Sequence, residues 1–282
     1  MLALTLSAIL MAKCLVVPRN LGLKVPEDEV LEVSLLTKVY ITKVKANILL
    51  ITPDNPYRAE IEYIATKHFE RAKELLDVAN RDFEAGILDE ALIYYLAAFR
   101  EAYVSYHLID LAKVKDLTQL ADRLKGVGET ASSLAYTSLK LALRPSSCEN
   151  VTRVSYVYNY YLFKDIVKEL NNTLLNFPGS FTKELADRIN SMYLKLSNLL
   201  TYTLLQSYSQ TWNLKGKARL PSNTTKCISG IGPQTDWFPK ACYVVEHPSS
   251  NGSIKYPCQR AMGALAYLLG DSKMIQVMCS LG

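Results

Sequence analysis

Histidine and tryptophan are scarce in this chain, with three His and two Trp in 282 residues. His68, His107 and His247 are scattered. They form no HExxH pair, the pattern that sets two imidazoles on one helical face to hold zinc. No CxxC occurs among the six cysteines, and the gaps between Cys227, Cys242, Cys258 and Cys279 fit no zinc-ligand spacing. Neither a metal nor a cofactor is expected. Twelve Gly and eleven Pro exclude collagen-like and Pro-rich low-complexity chains. No apolar run reaches the roughly twenty residues that cross a bilayer, so no transmembrane anchor is expected. No GxSxG marks a strand-to-helix nucleophile. Gly126-Val127-Gly128-Glu129-Thr130 lacks the third Gly, the preceding strand and the Lys-Ser/Thr ending of a phosphate loop, and reads as a helix interruption. No catalytic residue is therefore assigned.

What is present is globular: 49% hydrophobic, 21% charged and 10% aromatic residues. Charge is uneven. Residues 1–147 hold 18 Lys/Arg against 19 Asp/Glu, whereas residues 148–282 hold 14 against 8. The densest basic cluster, Lys215-Gly216-Lys217-Ala218-Arg219, reads as a solvated loop after a helix. Nucleic-acid binding, which needs cations in runs or on one face, is not expected.

Cysteine is lopsided too. Cys14 stands alone, while Cys148, Cys227, Cys242, Cys258 and Cys279 fall in the second half, four of them in a Pro/Gly/Ser-rich tail. The tail reads as a disulfide-stapled cap, its four cysteines allowing three pairings, with Cys148 a further candidate partner. Such bridges persist in oxidising compartments. Four N-x-S/T sequons, at Asn150, Asn171, Asn223 and Asn251, lie in the same half and are candidate glycan acceptors. Together these features favour a secreted or cell-surface location; a cytoplasmic one requires the cysteines to stay reduced. Leu2 to Ala12 has the length and apolarity of a signal core but no basic residues before it. A short buried helix leading into a strand is the other reading of that segment.

The fold class read from periodicity is mainly α: an antiparallel helical bundle with a small N-terminal α/β element and an irregular, disulfide-stapled C-terminal cap. Residues 1–53 form the α/β element, with strands expected at Lys13–Pro18, Glu29–Ser34 and Asn47–Thr52. Residues 54–213 form the bundle. Its first helix opens at an Asp54 cap with Pro56 in the first turn and ends at Gly86. The second opens at an Asp89 cap, the third runs from Asp116 to about Leu143 and stops at Pro145, the fourth spans Asn150 to Asn176, and the fifth starts near Ser180. Residues 214–282 form the Cys-rich cap, irregular to Pro257 and closed by helices at Cys258–Leu269 and Ser272–Ser280. Among eighteen tyrosines, Tyr94 and Tyr103 on the second helix and Tyr156 and Tyr160 on the fourth fill the core or line an interaction face for a peptide, glycan or partner helix.

Two resemblances add to this reading. Leu75, Val78, Ala79, Gly86, Ala91, Tyr95 and Ala98 sit at the spacings of a single tetratricopeptide unit, with Asp82 where that family has an aromatic and no second copy one period away. Cys14-Leu15-Val16-Val17-Pro18, Val30-Leu31-Glu32-Val33-Ser34 and the helical region that follows, within residues 1–110, resemble the C-terminal part of an archaeal exported Lon-like serine protease. That resemblance implies a catalytic Ser and Lys upstream of Met1, hence a catalytically incomplete relative. Three functions are expected from these features: a non-catalytic extracytoplasmic binding or scaffold protein with a protein partner; a fragment or relative of a Lon-like protease; and an intracellular tetratricopeptide-like adaptor.

Overall fold

The computed structural model describes residues 18–48, 56–114, 116–227, 232–249 and 252–281. Among them run nine helices and no strand: α1 (Glu27–Ile48), α2 (Pro56–Glu84), α3 (Leu88–Lys113), α4 (Leu117–Ala142), α5 (Glu149–Leu175), α6 (Lys183–Tyr208), α7 (Phe238–Glu246), α8 (Pro257–Leu268) and α9 (Ser272–Cys279).

The organising element is α3. Its buried residues run on all sides, from Ala91, Leu92 and Leu96 to Leu108, Leu111 and Ala112, as expected of a helix enclosed by neighbours. Alpha-helices 1, 2, 6 and 8 all pack against it. Its N-terminal half shares one apolar cluster with Val30 and Val33 of α1, Val154 of α5 and Leu265 of α8. Its C-terminal half shares a second with Ile61 and Phe69 of α2, Leu124 of α4 and Ile189 and Leu196 of α6.

Short connections make successive helices antiparallel. A turn with Gly86 at φ 74° joins α2 to α3, and the left-handed backbone there suits glycine. Along this hairpin Ser105 Oγ donates to the Ala65 carbonyl at 2.7 Å and the Tyr95 hydroxyl to Asn80 Oδ1 at 2.7 Å. The next three helices are keyed by a fully buried polar group. Ser138 of α4 donates to Gln206 Oε1 of α6 at 2.7 Å, and Asn159 Nδ2 of α5 donates to both. Each bond exists in only one register of the three helices, so the group specifies their alignment.

The cap docks through chemistry rather than volume alone. Asp271 accepts from Met274 N and so caps α9, while the hydroxyls of Tyr158 and Tyr202 each reach it at 2.8 Å. Gln259, fully buried, accepts from Tyr256 N and donates to the Ser253 and Met278 carbonyls, tying the loop before α8 to α9.

Four expectations are corrected. Glu29–Ser34 is helical, the first part of α1. Its β-branched composition suggests a strand, yet Val30, Val33, Ser34, Thr37 and Val44 repeat at helical spacing and bury one face, and Glu27, Asp28 and Glu29 favour a helix N-terminus. Asn47 and Ile48 end that same helix, so no α/β element is present among the described residues; Lys13 to Val17 and Leu49 to Thr52 lie outside them. The helix α4 runs unbroken through Gly126 and Gly128: a Cβ on Gly128 would stand 2.8 Å from Leu170 Cδ2, so this glycine lets α5 approach. Within the segment expected to be irregular, α7 forms with Pro239 in its first turn, where a missing N–H costs no bond. Asp89 lies inside α3 and does not cap it; its carboxylate accepts from Leu23 N at 3.2 Å and holds the chain leading into α1.

Candidate functional site

Helical spacing on three helices brings one set of polar and aromatic side chains together. From α3 come Tyr103, Tyr106, His107 and Asp110, from α4 Arg123, Gly126 and Thr130, and from α6 Tyr193. They line a cavity of about 370 Å³. Its floor is buried, with Tyr103, Val127, Tyr193 and Leu196, and its mouth passes the exposed Arg123 and Thr130.

His107 is held between rings. Its imidazole stacks on Tyr193 with centroids 5.3 Å apart and planes at 20°, meets Tyr103 at 4.3 Å, and meets Tyr106 edge-on at 5.1 Å. Burial disfavours the imidazolium, and the nearby charges of Arg123 and Lys43 add to this, so the His107 pKa falls to about 4. Burial pushes the Tyr193 hydroxyl up to about 12 and raises Tyr103 as well, with Tyr193 and Tyr40 reinforcing the latter. At neutral pH this centre therefore has one imidazole N–H donor, one imidazole acceptor and protonated phenols. The charges at the mouth, Arg123 and Asp110, are paired with each other.

Gly126 shapes the cavity. A mid-helix glycine costs about 1 kcal/mol relative to alanine, and here nothing lies within 4 Å of where a Cβ would stand. Space that a side chain could occupy is left open beside the histidine.

A second buried cluster lies on the same helix one to two turns earlier. His68 Nδ1 of α2 approaches Glu101 Oε2 at 2.5 Å, Arg100 reaches Glu101 Oε1 at 2.6 Å, and Arg100 Nε donates to Asn198 of α6 at 3.1 Å. Burial alone would raise the Glu101 carboxyl, but the His68 hydrogen bond and the Arg100 charge outweigh it and hold the group below its usual range. Arg100 and Glu101 are both buried, and with His68 and Asn198 they tie α2, α3 and α6 together.

Of the tyrosines singled out from sequence, only Tyr103 belongs to the cavity. Tyr156 is buried against Trp237 and Phe238 of the cap, and Tyr94 and Tyr160 pack half-buried on the first apolar cluster, so the four share no exposed face. Cys148, the N-cap of α5, is bonded to Cys258 of α8, and Cys227 to Cys242 of α7, each pair with Cα atoms 5.7 Å apart. Cys279 is disulfide-bonded as well. Among the sequons, Asn223 is exposed in an irregular segment and Asn171 is exposed within α5. Asn150 is half-buried, its amide donating to the Ala218 carbonyl at 2.8 Å; Asn251 lies outside the described residues. That bond, with Lys217 3.9 Å from Glu149, lays the basic segment 215–219 against the start of α5.

Compared with known proteins, the chain matches no family model, no curated protein and no solved structure. Among the described residues no three His, Cys, Asp or Glu side chains converge as metal ligands, and no helix is long and apolar enough to cross a membrane.

Sequence reasoning missed His107, Arg123, Gly126 and Tyr193 as partners. His107 sits beside apolar positions on a long helix and reads as a structural histidine. Its companions on α4 and α6 are distant in sequence, and the only local signal was the oddity of glycine inside a helical pattern.

Proposed function

We propose that this chain is a non-catalytic, extracytoplasmic helical binding protein whose His107 cavity takes a small, uncharged, ring-containing molecule. The observation that carries the reading is the geometry of the cavity, in which the His107 ring is stacked on Tyr193 and flanked by Tyr103 and Tyr106 beside the open space at Gly126. The imidazole is kept neutral, two phenols are kept protonated, and the Arg123 and Asp110 charges oppose each other. General acid–base catalysis works best when a group titrates near the operating pH. Stacking faces with fixed donors and acceptors suit the recognition of a planar polar ligand.

The test uses Gly126→Leu, which fills the open space and replaces glycine by a better helix former. Screened by thermal shift, uncharged phenols, indoles or benzamides should raise the midpoint of the wild type by about 2–5 °C near saturation. The variant should be at least as stable and show no shift. Equal shifts in both proteins, or none in the wild type across such a panel, would sink the reading.

The compartment is supported by a separate observation: every cysteine among the described residues is disulfide-bonded. Bridges of this kind persist outside the reducing cytosol. On secretion from a glycosylating host, non-reducing peptide mapping should recover Cys148–Cys258 and Cys227–Cys242. It should find a glycan on the exposed Asn223 and none on Asn150, whose amide is already engaged. Free thiols at these four cysteines would contradict the proposed export.

A further inference from the structure

One face of α1 is apolar and left uncovered by the other described residues. Leu31, Leu35 and Val39 are 49%, 66% and 41% exposed, while Val30, Val33 and Val44 bury the other face. Four-residue spacing sets the three in one line along the helix. The charges of α1 divide about the middle of that line: Glu27, Asp28 and Glu32 precede Leu35, and Lys38, Lys43 and Lys45 follow it, all six exposed. The arrangement is centred on Leu35. Leu31 and Val39 stand four residues either side, Glu32 and Lys38 three, and Glu27 and Lys43 eight.

The helix dipole does not account for this division, because its effect falls off within the first and last turns. Glu32 and Lys38 lie further inside α1 than that. None of the six charges forms an ion pair with another described residue.

We propose that α1 is a self-association surface, on which a second copy of this chain pairs antiparallel through Leu31, Leu35 and Val39 about a twofold axis at Leu35. An isologous contact requires a surface complementary to itself. The antiparallel arrangement sets the acidic end of each α1 against the basic end of the other, while a parallel one would set like against like. A contact made by a single helix is smaller than the roughly 800 Å² per partner of a standard interface, so the dimer is weak and depends on concentration. Its ionic ends make it weaken with salt. The proposal does not rest on the cavity's ligand, although Lys43, whose ammonium lies 5.6 Å from the Tyr106 ring, neighbours both the cavity and the stripe.

Sedimentation equilibrium of the full chain at low salt, over a concentration series, tests it. The wild type should show a monomer–dimer equilibrium, and Leu35→Glu should be monomeric throughout with an unchanged far-UV dichroism spectrum. Lys43→Glu with Lys45→Glu should weaken the dimer by about tenfold or more, since like charges then face each other. Adding Glu27→Lys and Asp28→Lys to that chain should restore it. As a check that does not depend on a destabilised variant, Leu35→Cys should cross-link two copies on mild oxidation, whereas Leu175→Cys, 82% exposed on α5, should not. Four outcomes overturn the proposal: a wild type monomeric across the series, as when a different protein or another part of the same chain covers the stripe; a dimer that survives Leu35→Glu; a dimer that the second charge reversal fails to restore; or equal cross-linking at both cysteines.

Discussion

Replacing Cys148 and Cys258 together by serine is expected to lower stability by about 4 kcal/mol and the melting midpoint by about 10 °C, read by thermal denaturation under non-reducing conditions. The bridge closes a sequence separation of 110 residues, and the chain-entropy model assigns nearly 5 kcal/mol to a loop of about that length. The expected cost is smaller because the Cys227–Cys242 bridge, nested inside the loop with a separation of 15, already limits the unfolded chain. Folding should survive. Asp271 still receives both tyrosine hydroxyls, and Leu265 and Met262 still belong to the apolar cluster shared with α3 and α5. A double variant that melts with the wild type would mean that the cap is not covalently coupled to the bundle.

Acid is expected to destabilise this protein in a window set by His107. Its pKa falls from 6.5 to about 4 on folding, so between those values the unfolded chain binds a proton that the folded chain refuses. Stability from the neutral imidazole is therefore complete above pH 6.5 and is lost as the pH drops towards 4. The whole window corresponds to roughly 3 kcal/mol at 1.36 kcal/mol per pKa unit. Glu101 acts with the same sign in a more acidic range: its lowered carboxyl supports the fold above the ordinary glutamate value and ceases to as the pH falls through its folded pKa. The two are separated with His107→Phe, which keeps a ring against Tyr193 and Tyr103 but cannot take a proton. The difference in unfolding free energy between wild type and variant, followed by urea titration, should shift against the wild type between pH 6.5 and 4. A difference that stays constant across that range would show that His107 titrates normally.

How much of this could be read from sequence varies with how local the signal is. Gly86, Asp116 and Pro145 mark helix ends within three residues, because a left-handed turn, a side-chain cap and a missing N–H are each decided by the residue itself and its immediate neighbours. The five long bundle helices were legible for the same reason: each carries an apolar stripe at helical spacing. Residues 29–34 misled because Val, Leu and Ser satisfy a strand pattern over six positions, and only the wider repeat through Val44 reveals α1. Alpha-helix 7 was hidden by Pro239, since the meaning of a proline depends on whether it stands in the first turn or in the interior. Cysteine pairing was legible only as a set of alternatives, since the partner of Cys148 is chosen by where α8 lands on α5. The cavity was least legible. Nothing local links Tyr103 and His107 to Gly126 and Tyr193, and what joins them is the angle at which three helices meet.

The position of α3 has one more consequence. A chain made from its N-terminus presents α3 early, with Ala91, Leu92 and Leu96 turned towards Leu265 and its neighbours, which come about 170 residues later. Until α8 emerges that flank has no lid. The core thus cannot be completed stepwise, and the first apolar cluster stays open on that flank until α8 has been added.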